Sequence, residues 1–273
     1  MTPIKPSMNR RSLLGSLAVL ALPNTLMKAL AAPIQGARRE VVIVEKATEA
    51  LIEITKMRER GLPLGLLRKA HGIVIVPDLV KAGFVIGGRA GRGVMMARDE
   101  AGAWTNPVFL GMAGGSIGAQ IGASATDVVL IFRTRKSVDD FLSHNKVTLG
   151  ADMAVAAGPV GVQAEASTDL KMRAEILSYS RSRGLFAGVS IEGSSLHVRH
   201  RANDIYYGVP NLLVGDVMAG RDSDDKPLAL PQSAVRLKAT LEGLSSPPVE
   251  VEEVIDSSVK KAANRTKVDR RRR

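Results

Sequence analysis

The 273-residue chain contains no cysteine, a single tryptophan and only 3% aromatic residues. Without cysteine there is no disulfide framework, no thiolate nucleophile and no lipoprotein anchor. The shortage of aromatic rings removes the stacking platform that a single-strand nucleic-acid binder sets beside its basic groove, so no nucleic-acid partner is expected. Histidine is scarce as well. His197 and His200 stand three apart, a spacing that on a strand sends them to opposite faces, and no third histidine completes a metal centre. No G-K-[ST] occurs, which excludes a P-loop. Gly88, Gly91 and Gly93 run G-x-x-G-x-G, the reverse of the dinucleotide fingerprint, and lead into Val-Met-Met rather than a helix start. Neither a cofactor nor a metal is expected. Long apolar runs are also missing: LGSLAVLALP, at residues 14–23, is too short to span a bilayer.

What the chain has in excess is positive charge, with 38 Lys and Arg against 27 Asp and Glu, or +11. Much of that excess is terminal. Asn9-Arg10-Arg11-Ser12-Leu13-Leu14 before the apolar run, with Ala29-Leu30-Ala31 as a small-residue cleavage site, reads as an export signal over residues 1–31. The paired arginines resemble a twin-arginine signal, and a general secretory signal fits nearly as well. Export and cleavage would leave a periplasmic or secreted chain, peripherally attached to membrane. The last stretch, 245–273, turns acidic and then basic and ends in Arg270–Arg273, the composition of a disordered charged tail. Between them, 32–244 has no linker-like stretch and is expected to form one domain.

Within that span, Val44, Ala47, Leu51 and Ile54 fall three or four residues apart, which predicts an amphipathic helix over 37–60 ended by Gly61 and Pro63. Leu64 to Ala70 continues it briefly. GIVIVP at 72–77, Lys81–Ala97 and DVVLIFR at 127–133 read as strands, with GGRAGRG at 87–93 as a turn or bulge. Strands are also expected over Val147–Ala157, Val160–Lys171 and, as a hairpin, 174–182 with 185–192. Short helices are expected after Ser137 and around Asn203–Tyr207, and a last helix over Pro231–Leu244. The fold class is α+β: a strongly bent, mostly antiparallel, barrel-like sheet with a long N-terminal helix and a C-terminal helix packed against it.

Several ordered motifs carry a family resemblance. GFVIGGRAGRGV, the W-x-x-P at Trp104–Pro107, GGSIGAQIG, LGADMAVAAGPVG, SYSRSRGLFAGVSIEG and Tyr206-Tyr207-Gly208 together resemble the SYLF domain family over about residues 40–243. The resemblance implies a non-enzymatic phospholipid-binding domain; among eukaryotic members it implies phosphoinositide preference and, for some, actin binding. The residues themselves offer two basic sets for an anionic phospholipid membrane. Arg38, Arg39, Arg58, Arg60, Arg68 and Lys69 lie on or beside the first helices, and Lys81, Arg89 and Arg92 lie among glycines that leave donors open to a phosphate. The bland alternatives are a helix packed on the sheet with solvated charges, and a hairpin corner with solvated arginines.

Two other function classes stay open. Gly114-Gly115-Ser116-Ile117-Gly118 matches the G-x-S-x-G of a serine hydrolase, with Asp127 or Asp152 and His197 or His200 in the required order, although Gly118 and Gly122 interrupt the helix such an elbow needs. An envelope structural or interaction module, binding another envelope protein, is the third reading.

Overall fold

Val44, Ala47, Leu51 and Ile54 do form one stripe, and it is buried: they are the inner face of α1 (Asn24–Lys56), a helix longer than its apolar pattern because it begins at Asn24. The structure is a computed structural model that describes residues 24–57, 61–83, 86–117, 122–159, 174–183 and 191–247. After α1 the chain turns at Gly61, where a side chain would overlap the carbonyl oxygens of Met57 and Ile54, and the Leu62 N–H donates to the Ile54 carbonyl at 3.1 Å. Helix α2 (Leu64–Arg68) follows at once.

Among the described residues eight strands then build one sheet: β1 (Gly72–Gly83), β2 (Ile86–Ala97), β3 (Val108–Ile117), β4 (Gly122–Phe132), β5 (Lys146–Thr148), β6 (Val155–Ala157), β7 (Ile176–Arg183) and β8 (Ser194–Val198). Their order is β5-β8-β3-β2-β1-β4-β7-β6. Every pair is antiparallel except β6 with β7, so the sheet is mixed but mostly antiparallel, as expected. Helix α3 (Arg135–His144) starts on Thr134, whose hydroxyl accepts the Ser137 N–H. Helices α4 (His200–Tyr207), α5 (Val214–Ala219) and α6 (Gln232–Ser245) complete the described elements, and α1 packs on both α4 and α6. None of the described helices is long and apolar enough to cross a membrane.

The W-x-x-P segment between β2 and β3 ties these helices to the sheet. Trp104 is buried, donates from Nε1 to Ser245 Oγ at 3.0 Å and carries the Arg98 guanidinium 4.3 Å from its ring centre. Asn106 Nδ2 reaches the Val217 carbonyl, and the Tyr207 hydroxyl donates to the Pro107 carbonyl at 2.8 Å. These buried polar groups all find partners, which is the condition for placing them in a core. The motif residues Trp104, Tyr206 and Tyr207 therefore act here as packing and fastening groups.

The strand plan departs from expectation in four places, one being that Val147–Ala157 is not a single strand but the short β5 and β6, which lie at opposite edges of the sheet. Pro77 does not end a strand: β1 continues through it, and the pairing with both neighbours slips around Pro77 and Asp78 as a bulge. Gly91 and Gly93 are consequently not a hairpin corner but positions inside β2 onto which that bulge presses. A Cβ on Gly91 would stand 2.7 Å from Val76 Cγ1 and 2.8 Å from Leu79 Cδ1, and one on Gly93 would overlap the Ile75 carbonyl oxygen. Finally, β7 pairs with β4 and β6 and the following described strand, β8, pairs with β3 and β5. The expected partner at 185–192 and the strand at 160–171 lie mostly or wholly outside the described residues, as does the tail from 248.

Because the neighbour at Gly93 is backbone, the strand has no soft side chain to yield. Gly93→Ala is expected to lower unfolding free energy by roughly 1–3 kcal/mol, read from urea denaturation, whereas Gly88→Ala, with nothing within 4 Å of its new methyl, should leave the midpoint nearly unchanged.

Candidate functional site

The Pro77–Asp78 bulge lifts a piece of β1 toward α1, and between them lies an open groove of about 610 Å³ lined by Arg38, Arg39, Val42, Ile43, Lys46, Pro77, Asp78, Gly91 and Arg92. The helical spacing of 38, 39, 42 and 46 places four of its walls on one side of α1. Gly91 on β2 lies opposite. Two sets of cations that are far apart in sequence thus meet, Arg38 and Arg39 from the helix and Arg92 from the sheet.

Their surroundings are unequal in charge. Lys46 Nζ sits 2.6 Å from Asp78 Oδ2 in an ion pair that is about half exposed on the lysine side. Among the described residues, Arg38, Arg39 and Arg92 make no direct ion pair and are exposed. Beneath them Glu40 is 3% exposed, with Oε1 3.7 Å from Arg199 Nη1. Burial raises the Glu40 carboxyl above its usual range, and Arg199, Arg92 and Arg39 pull it back down. Burial likewise lowers the Arg199 guanidinium, with Glu40 opposing that shift. Val42, 46% exposed, gives the rim an apolar point between the arginines.

A second network fixes the floor. Asp78 has a positive φ of 48°, and its N–H donates to Asp127 Oδ1 at 3.0 Å. Asp127, on β4, is 0% exposed and takes Arg181 Nη2 at 2.8 Å and Nε at 3.2 Å on its other oxygen. Arg181 in turn lies 3.6 Å from Glu53 on α1. A left-handed residue costs free energy unless its neighbours hold it there, and here a buried carboxylate does so.

The remaining candidates separate. Arg58 and Arg60 lie outside the described residues. Arg68 is half-buried and donates from Nε to the Ser246 carbonyl at 3.1 Å, fastening the end of α6. Lys69 is exposed beside it at the end of α2 and does not line the groove. Lys81 is partly exposed on β1, in register with Arg89. Arg89 does not face solvent. It is 6% exposed, its Nη2 donates to the Gly115 and Glu192 carbonyls at 2.8 and 3.3 Å, and burial lowers its basicity. Gly114 makes this possible, since a Cβ there would stand 3.2 Å from Arg89 Nε. A strand pattern marks the face on which Arg89 lies but not that the face is covered. Lys46, Asp78, Glu40 and Arg199 belong to the site and were not singled out; the available signals were the Pro-Asp pair inside an apolar run and the place of Glu40 four residues before Val44 on the apolar stripe of α1.

Ser116 lies within β3 opposite Gly87, and the chain re-enters the sheet at β4 from Gly122. Its surroundings are thus strand rather than strand-to-helix turn. Asp127 is occupied as described, and Asp152 accepts the Thr148 N–H at 2.6 Å. Among the described residues no cluster of His, Asp and Glu suits a metal ion.

Residues 113–244 match the family model described as "Ysc84: Las17-binding protein actin regulator". The chain is 40% identical over 184 residues to LAS seventeen-binding protein 3 of Saccharomyces cerevisiae, a match covering 65% of this chain and 40% of the relative. It is 39% identical over 165 residues to Protein YSC84 of the same yeast, covering 60% of this chain and 35% of the relative. It is 35% identical over 190 residues to SH3 domain-containing YSC84-like protein 1 of Homo sapiens, covering 66% of this chain and 55% of the relative. The chain thus spans about half or less of the length of these relatives, and its groove residues precede the segment that the family model matches.

Breaking a buried pair by removing one partner leaves the other charge uncompensated. Asp127→Ala is expected to cost about 3–5 kcal/mol of stability in chemical denaturation, against about 0–1 kcal/mol for Lys46→Ala, whose pair is solvent-screened.

Proposed function

The chain belongs to the SYLF family, and from that premise we propose that it is a non-enzymatic protein that associates reversibly with anionic phospholipid surfaces through the Arg38–Arg39–Arg92 groove. The observation that carries this reading is the convergence of three exposed guanidinium groups, in no direct ion pair among the described residues, around the exposed Val42. Guanidinium forks suit phosphate oxygens, and Val42 can enter the headgroup boundary while the arginines stay at its level. Each basic residue near an anionic surface contributes ~1 kcal/mol, so three acting together give binding about a hundredfold tighter than to a neutral surface at low salt. Beyond a phosphate-bearing headgroup we assign no lipid species; phosphoinositide preference rests on the family resemblance alone.

A protein partner is the second reading. It is favoured by the names of one relative, LAS seventeen-binding protein 3, and of the family model, a Las17-binding actin regulator. We also propose export of this chain on its Arg10-Arg11 signal. Cleavage after Ala31 would remove the start of α1 and leave Arg38 onward intact.

The full chain is expected to cosediment with phosphatidylglycerol vesicles and not with phosphatidylcholine, and to be released as salt rises past the point where screening shortens to about 8 Å. Arg38→Glu/Arg92→Glu should weaken binding at least tenfold, and Lys69→Glu much less. Equal binding to both vesicle types, or to neither, overturns the proposal. Labelling of Ser116 by a serine-hydrolase probe, abolished in Ser116→Ala, would overturn its non-enzymatic part.

A further inference from the structure

Among the groups lining or underlying the groove, one carboxylate has a geometry that ion pairing alone does not explain. Glu40 follows Arg39 on α1 and is buried, yet its Oε2 and the Arg199 Nη1 are both enclosed without a hydrogen-bond partner, and the nearest approach between the two side chains is 3.7 Å. A structural salt bridge in a dry site would close to hydrogen-bonding distance to offset its desolvation. The charged groups that act on Glu40 are all cationic and come from three directions: Arg39 on its own helix, Arg92 from β2, and Arg199 from the turn before α4. Two of these three are the arginines that meet the proposed phosphate.

We infer that Glu40 is the groove's internal counter-charge, and that protonating it strengthens the groove's hold on a phosphate-bearing surface. The inference rests on the proposed membrane reading and adds its regulation. A phosphate seated between Arg39 and Arg92 draws on the same positive field that keeps Glu40 ionised, and it repels the carboxylate. The enclosed, unpartnered Oε2 then takes up a proton, leaving a neutral acid beneath a bound anion. By linkage, a group whose proton affinity is higher in the bound state makes binding tighter as pH falls. The gain is fully present below the acidity of the free carboxyl, is lost as pH rises through that of the bound form, and amounts to tenfold for each pH unit separating the two. Burial already places the free carboxyl above the usual glutamate range, which moves this window toward mild acidity.

The effect must be told apart from any contribution of the histidines flanking Arg199, His197 on β8 and His200 at the start of α4. The test measures binding of the full chain to phosphatidylglycerol vesicles, whose phosphodiester keeps its charge between pH 5 and 7.5. Affinity of the wild type is expected to rise about threefold to tenfold across that range. Calorimetry at pH 5.5 in two buffers of different ionisation enthalpy should show proton uptake on binding. Glu40→Gln should bind at pH 7.5 as tightly as the wild type at pH 5 and show a flat profile, while His197→Gln/His200→Gln keeps the wild-type slope. A Glu40→Gln profile parallel to the wild type, a slope abolished by the histidine changes, or binding by the wild type with no proton uptake overturns the inference while leaving the membrane reading intact. Absence of phosphatidylglycerol binding at every pH overturns both. Proton uptake is measured on the wild type, so the inference stays testable if Glu40→Gln fails to fold.

Discussion

The hydrogen bond from the Asp78 N–H to the buried Asp127 carboxylate, with Arg181 on the opposite oxygen, is the constraint on which the rest of this architecture leans. It holds a non-glycine residue at positive φ in the middle of the central strand β1, and so keeps a bulge where a flat strand would otherwise lie. The consequences spread through neighbours. The bulge presses on β2 at Gly91 and Gly93, which is why those positions carry no side chain, and it raises Asp78 to the Lys46 side chain on α1. The space left between helix and bulge is the groove.

Arginine is divided by this scaffold into two kinds of work. Arg68, Arg89, Arg98 and Arg181 turn inward, where carbonyls, a ring face and a carboxylate meet their donors and hold strand ends and helices together. Arg38, Arg39 and Arg92 are left outward and, among the described residues, make no direct ion pair. That division sets a local basic feature on the described part of a chain with +11 formal charge. A local feature can select an orientation on a charged interface, whereas a diffuse excess only attracts.

The sheet, the first and last helices and the Tyr206–Tyr207 helix were legible because each is written in short-range periodicity: Val44, Ala47, Leu51 and Ile54 repeat at helical spacing, and DVVLIFR is apolar throughout. The basic residues of the groove were legible as types and as neighbours of glycine or helix, but not as a group. Arg38 and Arg92 are 54 positions apart, and only the bulge decides that they meet. The interior place of Arg89 was hidden for the converse reason, since a strand pattern gives the face of a residue and not what covers it. Glu40 carried a signal of its own: it stands four residues before Val44, in phase with the buried Val44, Ala47, Leu51 and Ile54 and not with the exposed Glu45 and Glu49. Helix α5 escaped because six residues give too little periodicity to read.

The groove lies ahead of the segment matched by the family model, in the part of the chain where α1 and the first two strands come together. The account therefore depends on this region meeting the interface first. With no native cysteine, one environment-sensitive fluorophore can be placed at Val42→Cys and, in a second protein, at Ser143→Cys on α3. On addition of phosphatidylglycerol vesicles the account predicts a blue shift and protection from aqueous quencher at position 42 with no change at 143. An unchanged probe at 42, with a shift at 143 or at neither, would contradict it.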